Sequence, residues 1–96
     1  MIKPYLTNKN MLVPYYLMYS YAYYQENESL IEDSEYDQIC QDLITNWDDI
    51  THWHKSLLNL ESLKAGTGYD IKYPPRVVGA AIALIKESQL KTTEMD

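Results

Sequence analysis

Apolar positions recur at threes and fours along most of this chain, and that spacing predicts helices rather than strands. Over residues 11–25 the positions Leu12, Tyr15, Tyr16, Tyr19 and Tyr23 carry the repeat. Pro14 falls in the first turn, where a missing N–H costs little. The polar run Glu26-Asn27-Glu28-Ser29 breaks the pattern and predicts a short loop ending in the apolar pair Leu30-Ile31. A second helix is expected to open at Asp33 or Ser34, both good N-caps, with Ser34 and Asp37 spaced as a capping box. Glu35 and Asp37 in its first turn suit the positive end of the helix dipole. Its buried stripe reads Tyr36, Ile39, Cys40, Leu43, Ile44 and Trp47.

Asp48 and Asp49 then read as caps for a third helix over residues 50–58, with another helical turn over 60–64. Ala65-Gly66-Thr67-Gly68-Tyr69 is the strongest turn signal in the chain, and Tyr69 to Tyr73 alternates as an extended segment would. One isolated strand has nothing to pair with, so no sheet is expected. Pro74-Pro75 opens a last helix to about residue 88. Val77, Val78, Ala81, Ile82, Leu84 and Ile85 give it an apolar face, and Gly79, Ala80 and Ala83 leave room for a close neighbour. The expectation is an all-α, single-domain bundle of about four helices with an irregular loop near 65–74. Residues 1–10 form an irregular lead-in, 11–90 the helical domain and 91–96 a frayed tail.

Length narrows the functions available. A chain of 96 residues makes one domain that buries only about 60–68% of its unfolded surface. A deep, self-made catalytic cleft is therefore not expected, and the chain reads as a non-enzyme. No 18-residue apolar run offers a membrane span, and the N-terminus lacks the apolar core of a signal peptide. A cytoplasmic protein is expected. The single cysteine, Cys40, excludes an internal disulfide and a cysteine-rich zinc site.

Charge sharpens this further. The net charge is −6, and nine acids but no Lys or Arg lie between Lys9 and Lys55. That field repels phosphate backbones, so direct nucleic-acid binding is not expected, and it favours a cationic ligand or partner. Phe is absent while Tyr occurs ten times, six of them within residues 15–24. Tyr combines apolar area with a hydroxyl that wants a partner, so this helix suits a half-wet surface, a ligand platform or a protein interface.

Three motifs carry little chemistry. His52-x-His54 has the form of half a metal site, but there is no third histidine, so packing or capping is the expected role and no metal is assigned. Gly66-Thr67-Gly68 lacks the Gly-Lys-Ser/Thr of a phosphate loop. Cys40 sits on a buried face with no basic neighbour in sequence, which is no place for an activated thiolate. What remains is Tyr23-Tyr24, then Asp33 and Glu35-Tyr36-Asp37. Two helix ends meeting across a loop would set tyrosine rings beside carboxylates. Such a cluster suits a flat cationic ring, held by stacking and cation–π attraction while the carboxylates accept hydrogen bonds. The plainer alternative is that Asp33 caps its helix and Tyr36 packs.

The segment Tyr19-x-Tyr21-x-Tyr23-Tyr24, a short polar loop, and Ile31-Glu32-Asp33-Ser34-Glu35-Tyr36-Asp37 resembles the N-terminal Ia domain of bacterial NAD-dependent DNA ligases. The likeness covers about residues 15–45. In that family a Tyr-His pair ends the first helix, and Asp-x-Glu-Tyr-Asp opens the second. The resemblance implies that Tyr23, Tyr24, Asp33, Tyr36 and Asp37 bind the nicotinamide mononucleotide (NMN) half of NAD, with Tyr24 standing where the family has His. No Lys-x-Asp-Gly occurs, so the adenylated lysine is missing and ligation by this chain is not expected. The remainder, from Asn46-Trp47-Asp48 through Leu63 to Tyr69 and Pro75-x-Val77, is similar to small tailed-phage proteins that reuse this helical module. Two functions follow: a non-catalytic NMN- or NAD-binding domain needing no other cofactor, or an acidic phage protein that docks a host or viral protein through its tyrosine-rich face.

Overall fold

Burial picks out the first long helix as the centre of the domain. The computed structural model describes residues 5, 7–58, 60–65 and 71–94. Helix α1, Leu12–Gln25, buries Leu12, Val13, Tyr16, Leu17, Tyr19, Ser20 and Ala22. At 100° per residue these positions cover roughly 220° of its circumference, so it is wrapped by neighbours instead of lying on one of them. Helix α2, Asp33–Thr45, packs on it through Ile39, Cys40 and Leu43, and then contacts the short helix α3, Leu60–Ala65. Helix α4, Pro75–Glu94, lies along α1 and buries Val77, Ala81 and Ile85, a narrow stripe at every fourth residue. Leu43, Ile50, Leu58 and Leu63 join the four helices in one core. Among the described residues there are no strands, and the domain is all-α.

The lead-in is more than a lead-in. Tyr5 is buried against Tyr15 and Tyr19, and its hydroxyl donates to Glu35 Oε2 at 2.5 Å. A 3-10 turn, Lys9–Met11, capped by the Asn8 side chain, feeds the chain into α1. Asn27 then takes φ 54°, a left-handed conformation asparagine tolerates better than most side chains, and the Glu28 N–H closes back onto the Ala22 carbonyl at 2.8 Å.

Other expectations need correction. Neither Asp33 nor Ser34 caps α2: Glu32 holds the N-cap position without a side-chain bond, its carbonyl accepting from the N–H groups of Glu35 and Tyr36 at 3.0 Å. Trp47 lies beyond the helix, because Asn46 ends it by turning its side-chain amide onto the Asp42 carbonyl at 2.8 Å. No α-helix spans 50–58. Asp48 and Asp49 belong to a 3-10 turn, Trp47–Asp49, Ile50 is extended and buried, and only a second 3-10 turn, Trp53–Leu57, follows. The cause is Asn10, forty-one residues upstream, whose amide oxygen takes the Thr51 N–H at 2.9 Å and whose amide nitrogen donates to the Thr51 hydroxyl at 3.3 Å.

The last helix runs to Glu94, six residues past the expected end, since no glycine or proline stops it. The tail expected to fray from residue 91 is thus helical through 94. Gly79 admits no close neighbour among the described residues: a Cβ there would meet nothing within 4 Å, and Ala80 and Ala83 are exposed as well. The Gly66-Thr67-Gly68 turn and most of the loop near 65–74 lie outside the described residues; Ile71 to Pro74 form no strand. No helix of the described residues is long and apolar enough to cross a membrane.

Candidate functional site

Where α1 ends and α2 begins, the loop between them folds over a cavity of about 250 Å³. α1 contributes Tyr19, Tyr23 and Tyr24, the first turn of α2 contributes Asp33, Tyr36 and Asp37, and Ser29, Leu30 and Ile31 form the rim. All five residues singled out in the sequence line this one cavity. The left-handed Asn27 turns the chain back, and the Ser29 hydroxyl pins the loop by donating to the Ile31 carbonyl at 3.0 Å.

The rings differ in freedom. Tyr23 is 51% exposed and meets Tyr24 edge to face, centroids 4.9 Å apart. These two can receive a planar guest. Tyr36 is already committed: its ring stacks on Tyr16 with centroids 5.5 Å apart and 29° between planes, and its hydroxyl lies 2.6 Å from the hydroxyl of the fully buried Ser20. Burial, then the neighbouring Tyr16, holds the Tyr36 phenol well above its ordinary range. Tyr36 therefore forms a fixed wall.

Tyr19 forms the floor. It is packed on Tyr15 and Tyr5, and burial, with Glu35 next in effect, pushes its phenol up to about 12. Both wall and floor are neutral at ordinary pH. Asp33 and Asp37 are exposed carboxylates one turn apart on α2, and among the described residues no Lys, Arg or His lines the cavity. Like charges at this spacing repel by a few tenths of a kcal/mol, which a cation between them relieves. The cavity thus offers aromatic faces, a neutral wall and two carboxylates.

Its size also limits the guest. Ligand pockets begin at roughly 300 Å³, so this one takes a single ring with its first substituents and leaves the rest of a nucleotide outside.

Sequence reasoning missed Tyr19, Tyr5 and Ser20. Tyr19 stands in the apolar repeat and in the tyrosine segment, but nothing in the sequence marks it as a cavity floor. The one signal for Ser20 was a lone hydroxyl inside an aromatic helix. Tyr36→Phe is expected to cost about 1–2 kcal/mol through the lost Ser20 partner, a fall in Tm of about 5–10 °C in a domain of this size. The ring and so the cavity wall should remain, and thermal unfolding followed by circular dichroism checks the loss.

Elsewhere the motifs resolve plainly. His52 caps the second 3-10 turn, its Nδ1 accepting the His54 N–H at 3.1 Å. Burial and then Asp37 push the Cys40 thiol up to about 11, the opposite of activation. Among the described residues no group of three or more His, Cys, Asp and Glu side chains is placed to hold a metal ion. No protein-family model matches the chain, and neither a curated protein nor a solved structure matches it significantly.

Proposed function

We propose that this chain is a non-catalytic binding domain that takes a flat cationic ring, the pyridinium of a nicotinamide nucleotide such as NMN or NAD, between Tyr23, Tyr24 and the paired carboxylates of Asp33 and Asp37. The convergence of these four residues with Tyr36 on one cavity, lined among the described residues by no basic side chain, carries the reading. Its resemblance to the ligase Ia domain over residues 15–45 points to the same ligand class.

Magnitudes set the scale of the binding. A cation–π contact at an exposed site contributes about 0.5–1 kcal/mol. A charge pair near the surface adds roughly 1–4 kcal/mol. The total of a few kcal/mol corresponds to a Kd near the millimolar range. NMN and NAD are therefore titrated to several millimolar against the amide resonances of the protein. Saturating shifts at residues 23, 24 and 29–37 are expected, weakened about tenfold in Asp37→Ala. Reduced NMN, whose ring is uncharged, should bind less well. No response, or one indifferent to Asp37→Ala, removes the proposal.

The exposure of Tyr23, and of Glu26 and Glu32 in the loop that follows α1, supports a second reading, docking of a basic host or viral protein. A stoichiometric partner lost on charge reversal of Glu26, Glu28 and Glu32, with no nucleotide response, selects that reading.

A further inference from the structure

Seven residues ahead of α1, Tyr5 leaves the lead-in and enters the core, 7% exposed. Its ring centroid lies 5.3 Å from that of Tyr15 and 6.5 Å from that of Tyr19, and those two rings are 5.7 Å apart. Tyr19 is the floor of the cavity between α1 and α2, so Tyr5 backs that floor. Its hydroxyl reaches farther. It donates to Oε2 of the half-buried Glu35, thirty residues along the chain in the first turn of α2. We infer that the lead-in is a strap whose clasp, the Tyr5–Glu35 hydrogen bond, holds the cavity floor and the Asp33–Asp37 pair in place. Tyr5 is thereby a positioning residue for the cation the cavity takes, a role that rests on the binding reading above.

The clasp acts where α2 lacks a local hold. Glu32 at its N-cap makes no side-chain bond, so the first turn carrying Asp33 and Asp37 starts without a side-chain cap. At 100° per residue, Glu35 lies roughly 160° around the helix from both aspartates. Tyr5 therefore grips the turn from the side away from the cavity. A tie there fixes the roll of the helix, and with it the direction in which the two carboxylates point. A phenol donating to a carboxylate makes a short, strong hydrogen bond, and this one measures 2.5 Å. Burial, then Glu35, holds the Tyr5 phenol above its ordinary range, so the donor keeps its proton at neutral pH.

The far end of the strap is anchored separately. The Asn10 amide bonds Thr51 at 2.9 and 3.3 Å, and Lys9 Nζ lies 3.6 Å from Asp49 Oδ2. Between its two ends the strap stands off α2 across a groove of about 630 Å³, with Thr7, Asn8 and Lys9 on one bank and Asp42 and Asn46 on the other. The Tyr5 hydroxyl thus ties the strap to the start of α2 by a bond that one substitution opens.

Amide hydrogen exchange tests the clasp without any ligand. Tyr5→Phe keeps the ring and removes the donor. The Glu35 and Tyr36 amides, which donate to the Glu32 carbonyl, are expected to exchange about tenfold faster in Tyr5→Phe, the scale of one hydrogen bond to a charged group. A merely global loss of stability would instead speed the most protected core amides and leave these locally opening ones unchanged. NMN is then titrated into the wild-type protein, Tyr5→Phe, Glu35→Ala and the double variant. Tyr5→Phe is expected to raise the Kd about fivefold and to change nothing further in the Glu35→Ala background, since both break one tie. First-turn exchange unchanged in Tyr5→Phe overturns the strap. An unchanged Kd, or equal losses in both backgrounds, removes the positioning role of Tyr5. A wild-type protein silent to NMN defeats the nicotinamide reading alone, and faster exchange confined to the first turn of α2 still supports the clasp.

Discussion

Tyr16→Ala is expected to destabilise the domain by about 3–5 kcal/mol, the range for removing a buried aromatic ring. Tyr16 is 1% exposed and lies in the core cluster formed by the helices. A domain of this length has roughly 5–14 kcal/mol of stability in all, so at least about a fifth of it would go. In urea, with a slope of about 1–2 kcal/mol per molar, the unfolding midpoint should fall by about 2 M. The loss also reaches the candidate site, because the Tyr36 ring that walls it rests on Tyr16. Ligand shifts at Tyr23 and Asp37 should weaken in Tyr16→Ala even under conditions where the protein remains folded. Tyr16→Phe keeps the stack and should cost no more than about 1 kcal/mol, through the hydroxyl alone. Equal midpoints for Tyr16→Ala and Tyr16→Phe would show that the ring does not hold the fold.

Alkaline unfolding is the second large effect, and its sign follows from the phenols. Burial, partly offset by the Tyr36 hydroxyl, pushes Tyr16 up to about 12, and Tyr19 stands at about 12 as well. Burial holds Tyr5, Tyr36 and Tyr73 higher still. An unfolded tyrosine titrates near pH 10, so above that pH the unfolded chain releases protons that the folded chain retains. Stability contributed by these groups is complete below about pH 10 and is lost as pH rises towards 12. A shift of two units is worth about 2–3 kcal/mol for Tyr16 alone, at 1.36 kcal/mol per unit. Several such groups together amount to a large share of the stability of the domain. The expected result is one cooperative step between pH 10 and 12 in which tyrosinate absorbance and the loss of helical circular dichroism coincide. A smooth tyrosine titration with the helices intact at pH 12 would contradict it.

Local pattern was enough for a good part of the molecule. Periodicity of three and four placed α1, and local signals placed the starts of α2 and α4, although the side-chain cap expected to open α2 is absent. Tyr23, Tyr24, Asp33, Tyr36 and Asp37 were legible as a group for a related reason. A loop of seven residues between two helix ends leaves those ends few ways to avoid each other.

Roles within the group were not legible. Tyr36 was expected to embrace a ligand, whereas its hydroxyl and one ring face are taken by Ser20 and Tyr16, sixteen and twenty residues earlier. Nothing near Tyr36 in sequence marks those partners. The same holds at Thr51, where a good helical pattern yields to the Asn10 side chain.

What the chain determined alone was therefore everything that depends on a residue and its neighbours within a turn or two: the all-α class, the helix starts, the acidic field of its first half and the tyrosines available to line a surface. Tertiary structure decided which of those tyrosines became wall, floor or open face. It also ended the helical pattern at residue 50, buried Tyr5 against α1, and tied it to Glu35 across thirty residues of chain. Those outcomes depend on hydrogen bonds and ring contacts between distant segments. Their free energy appears only once the core has closed, so no local periodicity encodes them.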